Sequence, residues 1–430
     1  MGFAGQARVG DGARFAARIE LTEDAIQVLP EAGPPVHLSL VDIDDLHDDD
    51  YVLRLTDHTG ARYELTMLGR AYGQLLADLR SRRDEALERA LLLRGVGLQD
   101  TFPGKLFGGP GPMPVQLRLY EDLLVVVPER GRMFGVPYSF IDRVDWDEEL
   151  YQVRLVTDEG TTFTFGQLAR RSEEFRDELR RLLDALAART AATLGELMPG
   201  LPPATLSRVA ELMRDGRAVQ RRRLDEVDPS VWPRLEEAAA GSEARREAYD
   251  RLAARTVPGW AAFGVKAVRP EEDEEADLPE DEEAATADRE GERSEGEPER
   301  PADLWYFCPL ALDARPANAL AQEVVSTSGR ATYVFRLMDP ERFGSLDADA
   351  LAEEVARCIA RLNRALLLLN FRRDPIRLPE ERLARGPDAR YRVALRHLDY
   401  LRWARASFLG RAVHGPKWAA QLAEAVGRAV

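Results

Sequence analysis

Two stretches of this 430-residue chain repeat each other at an offset of about a hundred residues. Arg18-Ile19-Glu20-Leu21-Thr22-Glu23-Asp24 aligns with Gln116-Leu117-Arg118-Leu119-Tyr120-Glu121-Asp122, and Pro30 aligns with Pro128. Ile43, Asp44 and Leu46 match Ile141, Asp142 and Val144 at an offset of 98. After a two-residue slip, Tyr51 meets Tyr151, Arg54-Leu55 meets Arg154-Leu155, Gly60 meets Gly160, and Leu79-Arg80 meets Leu179-Arg180. Strand-like, turn-like and helix-like segments recur in the same order, which marks a duplicated module.

Each copy opens in period two. Ile19 and Leu21, Ile26 and Val28, and Val36, Leu38 and Leu40 alternate with polar residues, and Tyr51–Leu55 and Tyr63–Leu65 continue the pattern. Polar turns such as Asp57-His58-Thr59-Gly60 break the runs, as in an antiparallel meander. From Arg70 the period becomes helical, with Tyr72, Leu75, Leu76, Leu79, Ala86, Leu87 and Ala90 on one face. The second copy repeats this with strands from Val115 to Phe165 and a helix from Gln167 to Arg189; the Gly/Pro-rich stretch Gly104–Pro114 reads as a linker. A bent antiparallel sheet closed by one C-terminal amphipathic helix resembles the pleckstrin-homology or GRAM-type module, over residues 14–190. Six strands are legible per copy, where the resemblance implies seven.

Pro199-Gly200-Leu201-Pro202-Pro203 then interrupts the chain, and a different pattern follows. Helices are expected around Leu206–Met213 and Trp232–Arg255, strands at Trp260–Val268 and Leu304–Leu312, and a hairpin from Val324–Ser328 into Arg330–Met338. Two further helices carry Val355, Ile359, Leu362 and Leu366, and Tyr391, Leu395, Leu398 and Leu401. The fold class is therefore α+β: two small antiparallel sheets or barrels, each capped by a C-terminal helix, and a C-terminal α+β domain with a helical extension. The expected domains are residues 1–103, 104–198 and 199–430.

Charge is unevenly placed. The net formal charge is −16, yet residues 271–300 alone hold sixteen Asp or Glu against three Arg. That segment, poor in aromatics, is expected to be a disordered acidic insertion between two paired strands. Residues 355–430 carry sixteen Arg or Lys against six Asp or Glu. Arg357, Arg361 and Arg364 share a helical stripe, and Arg372, Arg373, Arg392 and Arg396 extend it as a candidate surface for an anion or an acidic partner. A tethered acidic segment could dock there and compete with an external anion.

Chemistry-bearing motifs are absent from the sequence. There is no phosphate loop, because Gly104-Lys105 is followed by Leu106, and neither a His-Glu-x-x-His helix nor a Gly-x-Ser-x-Gly elbow occurs. The acidic turns (Asp42, Asp44, Asp45 and Asp48–Asp50; then Asp142, Asp145, Asp147, Glu148 and Glu149) lack the spacing and glycine of a calcium loop, and read as solvated hairpin tips. Cys308 and Cys358 sit in apolar patterns, which points to a reducing cytoplasm rather than a disulfide framework. No enzymatic activity, cofactor or metal is expected, and no apolar run approaches the length of a membrane span.

The pleckstrin-homology resemblance implies either phosphoinositide or protein ligands. Lipid binding in that family uses Lys and Arg at the first hairpin. Here that hairpin reads Leu21-Thr22-Glu23-Asp24 and Tyr120-Glu121-Asp122, whose carboxylates repel phosphate. The expected function is a cytoplasmic adaptor that binds protein segments. Nucleic-acid binding through the basic C-terminal helices is the alternative, anionic-lipid association is disfavoured, and oligomeric state is left open. Some eukaryotic histone chaperones also pair tandem modules of this fold with acidic stretches.

Overall fold

A computed structural model of the chain describes residues 2–93, 95, 97–109, 111–241, 243–267, 302–312, 315–325, 331–383 and 390–429. The acidic insertion 271–300 and the expected Ser328-Gly329 hinge lie outside the described residues. The chain divides into two compact units, residues 1–179 with 383–397, and residues 180–382 with 398–430.

The first unit contains the repeat. Its first module runs β1 (Gly2–Val9), β2 (Phe15–Leu21), β3 (Ala25–Pro30), β4 (Val36–Ser39), β5 (Ile43–Asp49), β6 (Val52–Asp57), β7 (Arg62–Thr66) and helix α1 (Tyr72–Ala90). The second runs β8 (Asp100–Phe107), β9 (Met113–Leu119), β10 (Leu123–Pro128), β11 (Phe134–Pro137), β12 (Ile141–Asp147), β13 (Gln152–Thr157), β14 (Thr162–Gly166) and helix α2 (Ser172–Leu197). Both form seven-stranded antiparallel sheets of identical order, β4-β3-β2-β1-β7-β6-β5 and β11-β10-β9-β8-β14-β13-β12.

The duplication extends to fine detail. Ile19 faces Val28 as Leu117 faces Val126, and the β5–β6 and β12–β13 ladders bulge at matching places, between Ile43 and Asp45 and between Ile141 and Arg143. Buried positions coincide as well: Leu53 with Val153, Leu65 with Phe165, Leu75 with Phe175, Leu79 with Leu179. Alternate residues of strands such as β2 and β9 enter the core of each module, where Leu75 and Leu79 of α1 and Phe175 and Leu179 of α2 are buried.

Seven strands per module, rather than the six legible in sequence, come from β1 and β8. Residues 100–107, partly read as linker, pair with both β9 and β14. A Cβ at Gly104 would lie 2.6 Å from Leu168 Cδ2, so that leucine would have to shift; its twin Gly5 has Thr66 O at 2.9 Å and Leu68 Cδ2 at 3.0 Å. Small residues at this close approach hide the alternation that identifies the other strands.

The second unit holds α3 (Pro203–Met213), β15 (Val219–Gln220), α4 (Arg221–Asp225), α5 (Val231–Ala240), α6 (Glu243–Ala253), β16 (Ala262–Ala267), β17 (Ala302–Leu312), β18 (Arg315–Val325) and β19 (Ala331–Arg336). Next come α7 (Pro340–Ser345), α8 (Ala348–Leu368), α9 (Asp374–Arg377), α10 (Glu380–Leu383), α11 (Arg392–His397), α12 (Asp399–Ser407), β20 (Phe408–Val413) and α13 (Trp418–Gly427). Of these, α11 groups with the first unit. The division between the two units falls within α2, at residues 179/180, and residues 383–397 group with the repeat.

The third sheet is antiparallel, in the order β15-β16-β17-β18-β19-β20. β16 and β17 pair directly up to Ala267 and Ala302, as expected of strands flanking the insertion. Both faces are covered. Val209, Trp232, Leu235, Leu252, Phe263, Tyr306, Val334 and Trp418 belong to one core. On the other face Trp305, Phe307 and Phe335 are fully buried, and Trp305 Nε1 donates to Asn363 Oδ1 at 2.7 Å. Burial on both sides explains the unbroken apolar run Leu304–Cys308.

Candidate functional site

Within the first unit the two modules meet along a seam. Leu87, Leu91 and Leu93 at the end of α1 pack with Leu123, Val125 and Met133 of the second module. Arg118 on β9 reaches Asp84 Oδ2 at 3.3 Å and also pairs with Glu88, while Tyr120 donates to Glu88 at 3.2 Å. Burial pushes the Asp84 carboxyl up even though Arg118 and Arg83 pull it back. Removing one partner from such a shielded cluster would cost more than the intact pairs contribute.

The seam holds a third element. Helix α11 lays Val393 into the same apolar cluster, with Tyr391, Val393 and Ala394 buried. Arg392 and Arg396, one helical turn apart, donate to the two oxygens of Asp42 at 3.0 and 2.7 Å. His58 Nδ1 lies 3.5 Å from the same carboxylate.

The seven arginines singled out in sequence are therefore dispersed. Arg392 and Arg396 serve Asp42 in the first unit. In the second unit, Arg357 pairs with Glu354 at 2.6 Å and Arg361 lies over the Trp403 ring at 5.1 Å. Arg364 and Arg373 are buried: the first donates to Tyr400 Oη at 2.7 Å, the second sits 4.0 Å above the Tyr333 ring. Arg372 is half-buried. The stripe of Arg357, Arg361 and Arg364 is not a single solvated face, because Arg364 turns inward beside the apolar side of α8.

The acidic turns also meet arginines. Asp48 accepts from Arg80 at 2.7 Å, Asp49 from Arg54 at 2.9 Å, and Asp44 lies 3.7 Å from Arg132. Arg54 holds the Asp49 carboxyl below the usual carboxylate range. Among the described residues, no group of three or more His, Cys, Asp or Glu could hold a metal ion.

Sequence reasoning did not single out the hairpin tips as sites. Tyr51 and Tyr151, matched across the repeat, are 73% and 70% exposed. Asp50 and Tyr51 both have positive φ, 46° and 61°, between the paired Asp49 and Val52. This is the conformation of a two-residue type I′ turn, which favours Asn-Gly or Asp-Gly. In the second module four residues, Glu148–Tyr151, join Asp147 to Gln152, and Tyr151 alone of them is left-handed, at φ 51°. The two-residue slip in the repeat falls at this loop. A bulky residue in this region is costly, yet both copies carry tyrosine there. Tyr51 leans on Tyr72 with ring centroids 5.3 Å apart.

The second unit contains a cleft of about 490 Å³ lined by Arg245, Arg251, Tyr306, Glu323, His414 and Trp418. Three of these residues are linked through Thr332: Trp418 Nε1 donates to Thr332 Oγ1 at 2.9 Å, Thr332 donates to Glu323 Oε2 at 2.9 Å, and His414 Nε2 lies 2.9 Å from Glu323 Oε1. Burial pushes Tyr306 well above the ordinary phenol range, with Glu323 adding to the effect. Burial pushes the neighbouring Cys308 thiol up to about 12. A thiol so held is not a nucleophile at neutral pH.

No family model and no curated protein matches the chain. Among solved structures, the C-terminal domain of an unknown protein from Leishmania infantum matches at 14% identity and a TM-score of 0.20, over 23% of this chain and 97% of that one. The Spt16D Pob3N heterodimer matches at 14% identity and a TM-score of 0.17, over 36% of this chain and 82% of that one. Likenesses of this size carry no functional weight. No described helix is long and apolar enough to cross a membrane.

Proposed function

We propose that this protein is a non-enzymatic adaptor that binds segments of other proteins through two pleckstrin-homology-like modules. The observation that carries this reading is the matched pair Tyr51 and Tyr151. Each is an exposed aromatic held in a backbone conformation that disfavours it, at the same hairpin of both copies. Folding gains little from a solvated ring, whereas tyrosine is a frequent anchor of protein interfaces. Outer strands β4, β5, β11 and β12 leave sheet edges of the kind that accept an added strand. The acidic first hairpins favour protein over anionic lipid, and the dispersal of the arginines favours protein over nucleic acid.

Capture from lysate with the full chain, after nuclease treatment, tests this reading. The unaltered protein should retain a defined protein partner that the Tyr51→Ser/Tyr151→Ser variant loses. Identical recovery by both, or nucleic acid as the sole ligand before nuclease treatment, would sink the assignment.

A further inference from the structure

We propose that the seam between the modules is a recognition groove for a short, cationic, amphipathic helix, and that the chain fills it with its own α11. The proposal deepens the adaptor reading and rests on it, but concerns a surface separate from the hairpin tips.

The occupant is a segment of the chain itself. The groove has an apolar floor drawn from both modules, represented by Leu87, Leu91, Leu123 and Met133. On its rim stands Asp42, whose carboxylate is 14% exposed. Among the described residues His58 Nδ1 also approaches it, at 3.5 Å. Into this site the chain sends Val393, with Tyr391 and Ala394 buried next to it in sequence, and directs Arg392 and Arg396 toward Asp42. Apolar residues on one face and two guanidinium groups on the edge are what a helix-in-groove ligand supplies.

This occupant is sequence-remote, since Asp42 and Arg396 are 354 positions apart. It is flanked on both sides by residues of the other unit. A tethered segment of this sort has a high effective concentration and suppresses external ligands without needing high intrinsic affinity. Its fit is also incomplete: among the described residues the buried Tyr391 hydroxyl has no hydrogen-bond partner. A partner helix with phenylalanine at that position would fill the same space without that loss.

The test uses the full chain and a labelled synthetic peptide of residues 381–399. In Arg392→Gln/Arg396→Gln the internal helix is weakened while the groove is intact. This variant should bind the peptide at least about tenfold more tightly than the unaltered chain, because an occupied groove is competent only in its open fraction. A Tyr391→Phe peptide should bind tighter still, and adding Asp42→Asn to the protein should abolish the gain. Hydrogen exchange over both sheets confirms that the variants are folded. In the unaltered chain, excess peptide should raise exchange at residues 391–397. Equal affinity for unaltered and variant protein, indifference to Asp42, or no binding to any form overturns the proposal. Concentration-dependent dimerisation of the unaltered chain through exchanged helices overturns it too. Partner capture through Tyr51 and Tyr151 is scored independently, so loss of the groove proposal leaves the adaptor reading standing or falling on its own result.

Discussion

Arg396 donates to Asp42 at 2.7 Å across 354 positions of sequence, and with Arg392 it ties a late segment of the chain to the first module. The carboxylate is largely shielded and Arg396 is 27% exposed, so the pair lies between a weak surface bridge and a costly buried one. Arg396→Ala should lower the stability of the first unit by about 1 kcal/mol. Denaturant unfolding at low salt and at 1 M salt, where the screening length is about 3 Å, checks this. The gap between variant and unaltered protein should narrow with salt.

Tyr51 faces two opposing terms. Glycine would relieve left-handed strain worth about 1 kcal/mol, and would forfeit the Tyr72 contact, worth about 0.5–1.5 kcal/mol. Tyr51→Gly should therefore leave the melting temperature nearly unchanged while reducing partner capture. A stability loss well beyond about 1 kcal/mol would show that the ring serves the fold.

Asp57, 9% exposed, closes the β6–β7 turn. Burial pushes its carboxyl up, but hydrogen bonds from Thr59 Oγ1, Thr59 N, Ala61 N and Tyr63 Oη outweigh this and hold it below the ordinary range. A depressed folded-state pKa contributes stability above the unfolded value, about 3.9, and the contribution disappears as pH falls through the lower folded value. Asp57→Asn should cost about 1 kcal/mol at pH 7, and the difference should shrink below about pH 4. Thermal melts across pH 2–7 (a range set by about the carboxylate pKa) read this out.

Gly264 pairs with Trp305 across β16 and β17, and a Cβ there would lie 2.2 Å from the indole. The ring cannot yield, because it is fully buried and hydrogen-bonded to Asn363. Gly264→Ala should destabilise the second unit by about 3 kcal/mol. Near-ultraviolet dichroism and urea unfolding would reveal it.

Both cysteines are buried, and burial pushes each thiol up to about 12. Neither should react with iodoacetamide in the native protein at pH 8, and both should react in denaturant. Intact mass after labelling gives the count directly. Modification of native Cys358 would contradict the packing of α8.

The sheets were legible because one face of each strand is buried, so alternation survived two divergent copies. Even the loop difference showed, as a slip between Tyr51 and Tyr151. The first strand of each module escaped notice because Gly5 and Gly104, packed against Leu68 and Leu168, interrupt its alternation. The dispersal of the basic cluster was not legible. Arg364 and Arg373 look like solvated charges in a periodicity plot, yet Tyr400 and Tyr333 give them buried partners. Nor could any local pattern disclose that Arg392 and Arg396 would find Asp42, since that pairing depends on tertiary geometry alone.

The inter-module seam also bears on how the hairpins act. Arg118 of the second module reaches Asp84 and Glu88 of the first, so the sheets that carry Tyr51 and Tyr151 are tied together by this contact. On the adaptor proposal, a client carrying two suitably separated contact points would engage both tips, and one with the wrong spacing would engage a single tip.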